Sequence, residues 1–289
     1  LITYDTRELL ASCRQQSETL VVNAQGFPAE GDSSLSRFIV RAYNLGWKKF
    51  TVFNLEGQRF IGSGLGASSA GVRIDVYGSS GDYIASGLDG AEIYVHGDAQ
   101  DQAAQIFKSG KLVIYGSVGQ AFMYGAKGGE VYVLGNAAGR PLINAVGKPR
   151  VVINGTCLDY LAESFMAGDP HNGGGFIILN GIEFDSEGDM VEQEAPYPGG
   201  NLFSMASGGA IFIRDPHCKV GEDQLNGGRF AAFTGKDWEL ILPYLKENER
   251  LFGIRVEELL TVRGERRKPS EVYRKIEPSS PAALAPDGE

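Results

Sequence analysis

The sequence predicts a mainly β fold: a right-handed parallel β-helix of about eight coils over residues 61–235, between an α/β cap (1–60) and C-terminal helices leading into a tail (236–289). Three observations predict it. Short apolar segments end in glycine at 78, 97, 116 and 135, three successive intervals of 19, followed by Gly155 after 20 and Gly181 after 26. The residues four and two places before these glycines are aliphatic throughout: Ile74/Val76, Ile93/Val95, Leu112/Ile114, Val131/Val133, Val151/Ile153 and Ile177/Leu179. Alternation places them on one face of a strand, where stacked repeats would align them in columns. The chain also holds 40 glycines with no three-residue period, a composition suited to regularly placed tight turns.

Each element has its own signal. In the cap we expect a helix over Thr6–Arg14, a strand over Thr19–Asn23, a helix over Ser34–Leu45 with Ser33 or Ser34 as its cap, and a strand over Lys49–Asn54. Within the repeats, Gly128-Gly129, Gly173-Gly174-Gly175, Gly208-Gly209 and Gly227-Gly228 let the chain turn and let neighbouring coils approach. The extra residues before Gly181 fall in a polar insert at 169–173, and a loop spans 186–201. Ile211–Arg214 and Arg229–Phe233 read as two further coils. A flat antiparallel sheet would also show short alternating strands, but its hairpins rarely keep so regular a period. After Gly235, helical spacing puts Trp238, Ile241, Leu245, Leu251 and Phe252 on a buried stripe. The tail segment Arg263–Lys275 has six basic and two acidic residues, then turns Ser/Pro/Ala-rich to Glu289, and the tail is expected to be an extended arm.

The 27 basic and 36 acidic residues leave a net charge of −9, which disfavours nucleic acid and anionic lipid as partners. No apolar run reaches the roughly 20 residues of a membrane span, and the first residues lack a basic-then-apolar leader pattern, so a cytoplasmic location is expected. Cys13, Cys157 and Cys218 lack metal or cluster spacing and read as buried free thiols.

Little in the chain demands a catalytic role. Gly62-Ser-Gly-Leu-Gly66 superficially resembles a nucleotide-binding loop, but no helix start follows it and the repeat accounts for its glycines. His96 falls in an outward column, while His171 and His217 would serve proton transfer or a metal only if the fold brings a partner to them. No catalytic, cofactor-binding or metal residue is therefore assigned. Three places and one place before the coil glycines, the outward positions are unusually aromatic. Tyr77, Tyr94, His96, Tyr115, Tyr132 and Leu134 form a candidate partner-contact strip, unless the chain's own C-terminal helix covers it.

Val22-Asn-Ala-Gln-Gly26, Asn54-Leu-Glu-Gly-Gln-Arg-Phe-Ile-Gly62, His96-Gly-Asp-Ala-Gln-Asp101, Gly110-Lys-Leu-Val-Ile-Tyr-Gly116 and Gly128-Gly129 resemble a known domain. It is the glycine-repeat (GXGXG) β-helix domain that ends the large subunit of glutamate synthase, here standing alone, and the resemblance runs from about residue 20 to 260. The β-helix subunit of formylmethanofuran dehydrogenase looks like the same fold. The resemblance implies an architectural role, bracing a glutaminase against an FMN and iron–sulfur synthase domain. By that likeness the chain would be a non-catalytic scaffold subunit of a split amidotransferase/FMN oxidoreductase complex that moves an amide-derived amino group to a 2-oxo acid. It would carry no cofactor itself; FMN and an iron–sulfur cluster would sit in glutaminase-like and synthase-like partner subunits. The alternative is an accessory subunit of a formylmethanofuran dehydrogenase-type or other multi-subunit redox enzyme.

Overall fold

The computed structural model describes residues 1–15 and 17–279. The chain begins with β1 (Leu20–Asn23), α1 (Leu35–Asn44) and β2 (Lys49–Phe53). One strand per repeat follows: β3 (Arg73–Tyr77), β4 (Asp89–His96), β5 (Ser109–Ile114), β6 (Glu130–Val133), β7 (Arg150–Ile153) and β8 (Phe176–Leu179). A hairpin of β9 (Ile182–Phe184) and β10 (Met190–Glu192) precedes β11 (Ala210–Arg214) and β12 (Gly228–Ala231). The last part holds α2 (Gly235–Phe252), α3 (Val256–Leu259), the two-residue strands β13 (Thr261–Val262) and β14 (Glu265–Arg266), α4 (Pro269–Val272) and β15 (Tyr273–Pro278).

These elements correct the fold class. In place of a right-handed parallel β-helix of about eight coils, the chain forms a mixed sheet of 11 strands, mostly parallel and with few helices, in the order β1-β2-β3-β4-β5-β6-β7-β8-β11-β15-β12, beside the two-stranded hairpins β9–β10 and β13–β14. The reason lies in what the glycine period determines. It aligns one strand of each repeat in parallel register, and it says nothing of the C-terminal segment, which enters the same sheet as the antiparallel strand β15 between β11 and β12. Arg263–Lys275 is accordingly not an extended arm, since its end is built into the sheet; the rest of the expected arm, residues 280–289, lies outside the described residues. Nor is the segment Arg229–Phe233 another parallel coil, since β12 pairs antiparallel with β15. The strands of the first 60 residues join the sheet as well, β1 on β2 and β2 on β3. The helix expected at Thr6–Arg14 is a short 3₁₀ turn at Arg7–Leu9. Thr3 and Thr6 bond one another's backbone there, which favours a local turn over a continued helix, and Leu9 is 79% exposed, so burial adds little to hold a longer helix.

Parallel register carries the aliphatic positions into columns. Ile74, Ile93, Leu112, Val131, Val151, Ile177 and Ile211 pair in succession across β3–β8 and β11, and all have no exposed surface. Each such side chain contributes about 1.5–3 kcal/mol by leaving water. Close stacking also explains the glycines before the turns. A Cβ on Gly116 would lie 2.8 Å from the carbonyl carbon of Gly97 in the preceding repeat, and one on Gly129, whose φ is +83°, would lie 2.1 Å from the Phe107 ring.

Between strands, the repeats share a turn in which alternate residues are left-handed. The triplets Gln102/Ala104/Ile106, Ala121/Met123/Gly125, Arg140/Leu142/Asn144 and Tyr160/Ala162/Ser164 all have φ between 52 and 62°. For non-glycine residues this costs on the order of 1 kcal/mol each. Hydrogen bonds between successive turns hold it in place, as in Ala104 N–H to Ile84 at 2.8 Å, Met123 N–H to Ala103 at 2.8 Å and Leu142 N–H to Phe122 at 2.7 Å. Gly62-Ser-Gly-Leu-Gly66 belongs to this turn series and runs into a 3₁₀ turn at Ala67–Ser69. Polar side chains extend the ladder: Ser117 N–H donates to Asp98 Oδ1 (2.7 Å), Asn136 N–H to Ser117 Oγ (3.1 Å) and Thr156 N–H to Asn136 Oδ1 (2.8 Å).

Candidate functional site on the outer sheet face

Helix α2 divides the outer face of the sheet. Thr234 and Asp237 form its capping box, and Gly253 ends it in a left-handed conformation. Ile241, Leu245 and Asn248 fall on one stripe of the helix and are fully buried. Ile241 and Leu245 pack with Val113, Tyr132, Val152, Ile178 and Phe212 from the outer face. Over β1–β3, by contrast, the outward residues Val21, Asn23, Lys49, Thr51, Phe53, Arg73, Asp75 and Tyr77 are all half-buried or exposed.

The candidate strip is split along that boundary. Tyr94 and Tyr132 are 5% and 1% exposed, within the cluster that α2 covers, while Tyr115 and Leu134 are half-buried against it. Tyr77, 49% exposed, is stacked on His96 with ring centroids 4.3 Å apart, and His96 is stacked on Tyr115 at 4.8 Å. Phe252, at the end of α2, meets the edge of Tyr115 at 5.2 Å. The structure thus brings three of the six strip residues into one aromatic column that begins at the exposed Tyr77 and ends under the helix.

Charged residues frame the column. Arg73 makes two hydrogen bonds to Asp75, at 2.7 and 2.9 Å, and lies 4.0 Å over the Tyr94 ring. His96 Nε2 is 3.3 Å from Asp75 Oδ1. Partial burial pushes the Asp75 carboxyl up, but its bonds to Arg73 and His96 outweigh this and hold it below the ordinary range. In the neighbouring register position Arg73, Glu92, Lys111, Glu130 and Arg150 follow one another across five strands with alternating sign. Lys111 ties this row to α2 through Glu247 at 2.8 Å. Tyr132 donates to Glu130 at 3.1 Å; burial first, and then that carboxylate, push its phenol well up. The phenol is therefore a fixed neutral donor.

The other histidines also found carboxylates. His171 Nε2 lies 2.8 Å from Asp237 Oδ1, which Lys275 reaches at 3.1 Å, so the 169–173 insert is fastened to the start of α2 and to β15. His217 and the buried Arg214 both hold Glu192 of the hairpin, at 2.9 and 2.8 Å. Among the described residues no group of three or more His, Cys, Asp or Glu is arranged to hold a metal ion. Of the thiols only Cys157 is buried; Cys13 is half-buried and Cys218 exposed, which corrects the reading of all three as buried. No helix among the described residues is long and apolar enough to cross a membrane.

Sequence reasoning missed the polar cluster that seats α2. Asn154 and Asn180, each just before a repeat glycine, join Asn248 of α2 and Tyr273 of β15 in one buried hydrogen-bonded group. A signal existed: two asparagines interrupt an outward column that is otherwise Tyr, His, Tyr and Leu.

The comparisons with known proteins agree with the repeat. A search of curated proteins returns no match. The family described as GXGXG motif matches residues 18–233, from the strand β1 through every glycine-punctuated repeat to the residues before α2. That is the domain found in the glutamate synthase large subunit, and the chain belongs to the GXGXG motif family.

Proposed function

We propose that the chain is a non-catalytic scaffold subunit of a glutamate-synthase-like complex. It works beside a glutaminase-like subunit and a synthase-like subunit that carries FMN and an iron–sulfur cluster. The observation that carries this reading is the contrast along the outer sheet face. From β5 onward the face is sealed by the chain's own helix, whereas over β1–β3 it is open and ends in the Tyr77–His96–Tyr115 column. An uncovered sheet face bearing stacked aromatics is a surface suited to contact with another protein. Membership of a family associated with glutamate-synthase-like proteins supports the choice of complex.

The physical role would be geometric. Eleven strands at about 4.8 Å spacing extend about 48 Å along the hydrogen-bonding direction. A body of that length, fastened by in-register packing, can hold two active sites at a fixed separation. Isolation from the native source under mild conditions, with identification of co-eluting chains, tests the reading. Co-elution with amidotransferase-like and FMN-binding subunits is expected. A monomer with catalytic activity of its own would overturn it, and co-elution with a metal-dependent dehydrogenase subunit would favour the formylmethanofuran dehydrogenase-type alternative.

A further inference from the structure

The second exposed face of α2 borders a groove that the proposed scaffold role leaves unused. The groove has a volume of about 600 Å³ and runs between α2, α3 and the residues after β14. Its floor is apolar, made by Trp238 and Leu242 of α2, Val256 of α3, Leu260 and Pro269. Trp238 and Leu242 are four residues apart and so share one helix face, which adjoins the stripe of Ile241, Leu245 and Asn248 turned to the sheet. Trp238 is half-buried, one side packed on the outer-face cluster 6.1 Å from the Tyr273 ring and the other lining the groove.

The rim carries the opposite charge to the protein as a whole. Lys246, Arg266, Arg267 and Lys268 stand around the groove, all exposed or half-buried, against Glu249 and Glu257. Arg266 reaches Glu257 only at 3.5 Å, with both side chains about two-thirds exposed, and Arg267 pairs with Glu265 of the same hairpin. Among the described residues Lys246 and Lys268 make no ion pair. Exposed pairs of this kind contribute little, so the rim keeps an excess of positive charge on a chain of net charge −9.

We propose that this groove docks an acidic amphipathic helix of a partner protein, its apolar stripe on Trp238 and Leu242 and its carboxylates on the Lys246–Lys268 rim. An apolar floor with a charged rim is how grooves receive amphipathic helices, and complementary charge selects among them. The inference rests on the reading of the chain as a subunit that works against partners, and it supplies the chemistry of one contact.

Trp47 and Trp238 are the two tryptophans, so a Trp47→Phe variant reports on the groove alone. The probe is a helical peptide of about 15 residues with leucines at i, i+3, i+4 and i+7 and glutamates elsewhere. A saturable blue shift of Trp238 emission is expected. Arg266→Glu with Arg267→Glu should weaken binding about tenfold, as should raised salt, with the circular dichroism and melting curve unchanged. Leu242→Asp should abolish it. Equal binding of the lysine-substituted peptide, displacement by a single-stranded oligonucleotide, a chain dimer in sedimentation that charge reversal dissolves, or no saturable response would each overturn the proposal. Loss of the peptide response with co-elution of subunits intact would remove the groove and leave the scaffold reading standing; the reverse pattern would do the opposite.

Discussion

Asn248 on α2 and Asn154 just past β7 donate side-chain hydrogen bonds to one another, at 2.9 and 2.8 Å, and neither has any exposed surface. Asn154 Oδ1 also accepts from Asn180 at 2.9 Å, and Asn180 Oδ1 accepts from Tyr273 at 2.9 Å. The group therefore joins two repeats, α2 and β15 in a single polar knot within an apolar interface. Buried amides cost most when only one partner is removed.

Asn248→Ala should accordingly destabilise the protein by about 2–3 kcal/mol, and Tyr273→Phe, which deletes one donor, by about 1 kcal/mol. Urea denaturation measures both. Hydrogen exchange should show α2 losing protection before the sheet in Asn248→Ala; equal loss throughout would mean that the cluster does not govern helix docking.

Gly129→Ala should cost about 3 kcal/mol, because the new methyl meets the Phe107 ring at 2.1 Å and must adopt a φ of +83°. Gly139 has open space around it and no such backbone constraint, so Gly139→Ala should stay within about 0.5 kcal/mol. Thermal melts of the two variants decide whether the repeat glycines are required by packing or only by composition.

Glu247 gives the fold a pH signature. Its hydrogen bonds to Arg250 and then Lys111 lower its carboxyl from 4.5 to about 2 despite partial burial. A depressed folded-state value means the stabilisation is present above pH 4.5 and is lost as pH falls through the window toward about 2. Glu247→Gln should be less stable than the parent at neutral pH, and the gap should narrow below pH 4.5, read as urea midpoints across pH. A constant gap at all pH values would contradict the ion-pair explanation.

The alternation of Ile74/Val76, Ile93/Val95 and their successors was legible because burial on one face and parallel register both act on a period of two within a period of 19. Ser34 as the cap of α1 and the Ile241/Leu245 stripe were legible for the same kind of local reason. The left-handed turns were not: Met123, Arg140 and Leu142 carry no mark of positive φ, since neighbouring repeats impose it through hydrogen bonds. The place of β15 was equally hidden, because Tyr273 and Ile276 meet their partners Arg214 and Ile211 far earlier in the chain, and basic composition suggested an arm. Of the strip, Tyr77, His96 and Tyr115 stayed together, while Tyr94 and Tyr132 went beneath a helix whose coverage depends on tertiary packing.

In the proposed scaffold role the chain organises a complex without performing its chemistry. Reconstitution tests it most directly: amide-dependent amination of a 2-oxo acid is measured with the amidotransferase-like and FMN-binding subunits in the presence and absence of this chain. The scaffold role predicts that the chain alone is inactive, that its addition couples the two partners, and that Tyr77→Asp weakens the coupling. Catalysis by the isolated chain, or full coupling without it, would contradict that role.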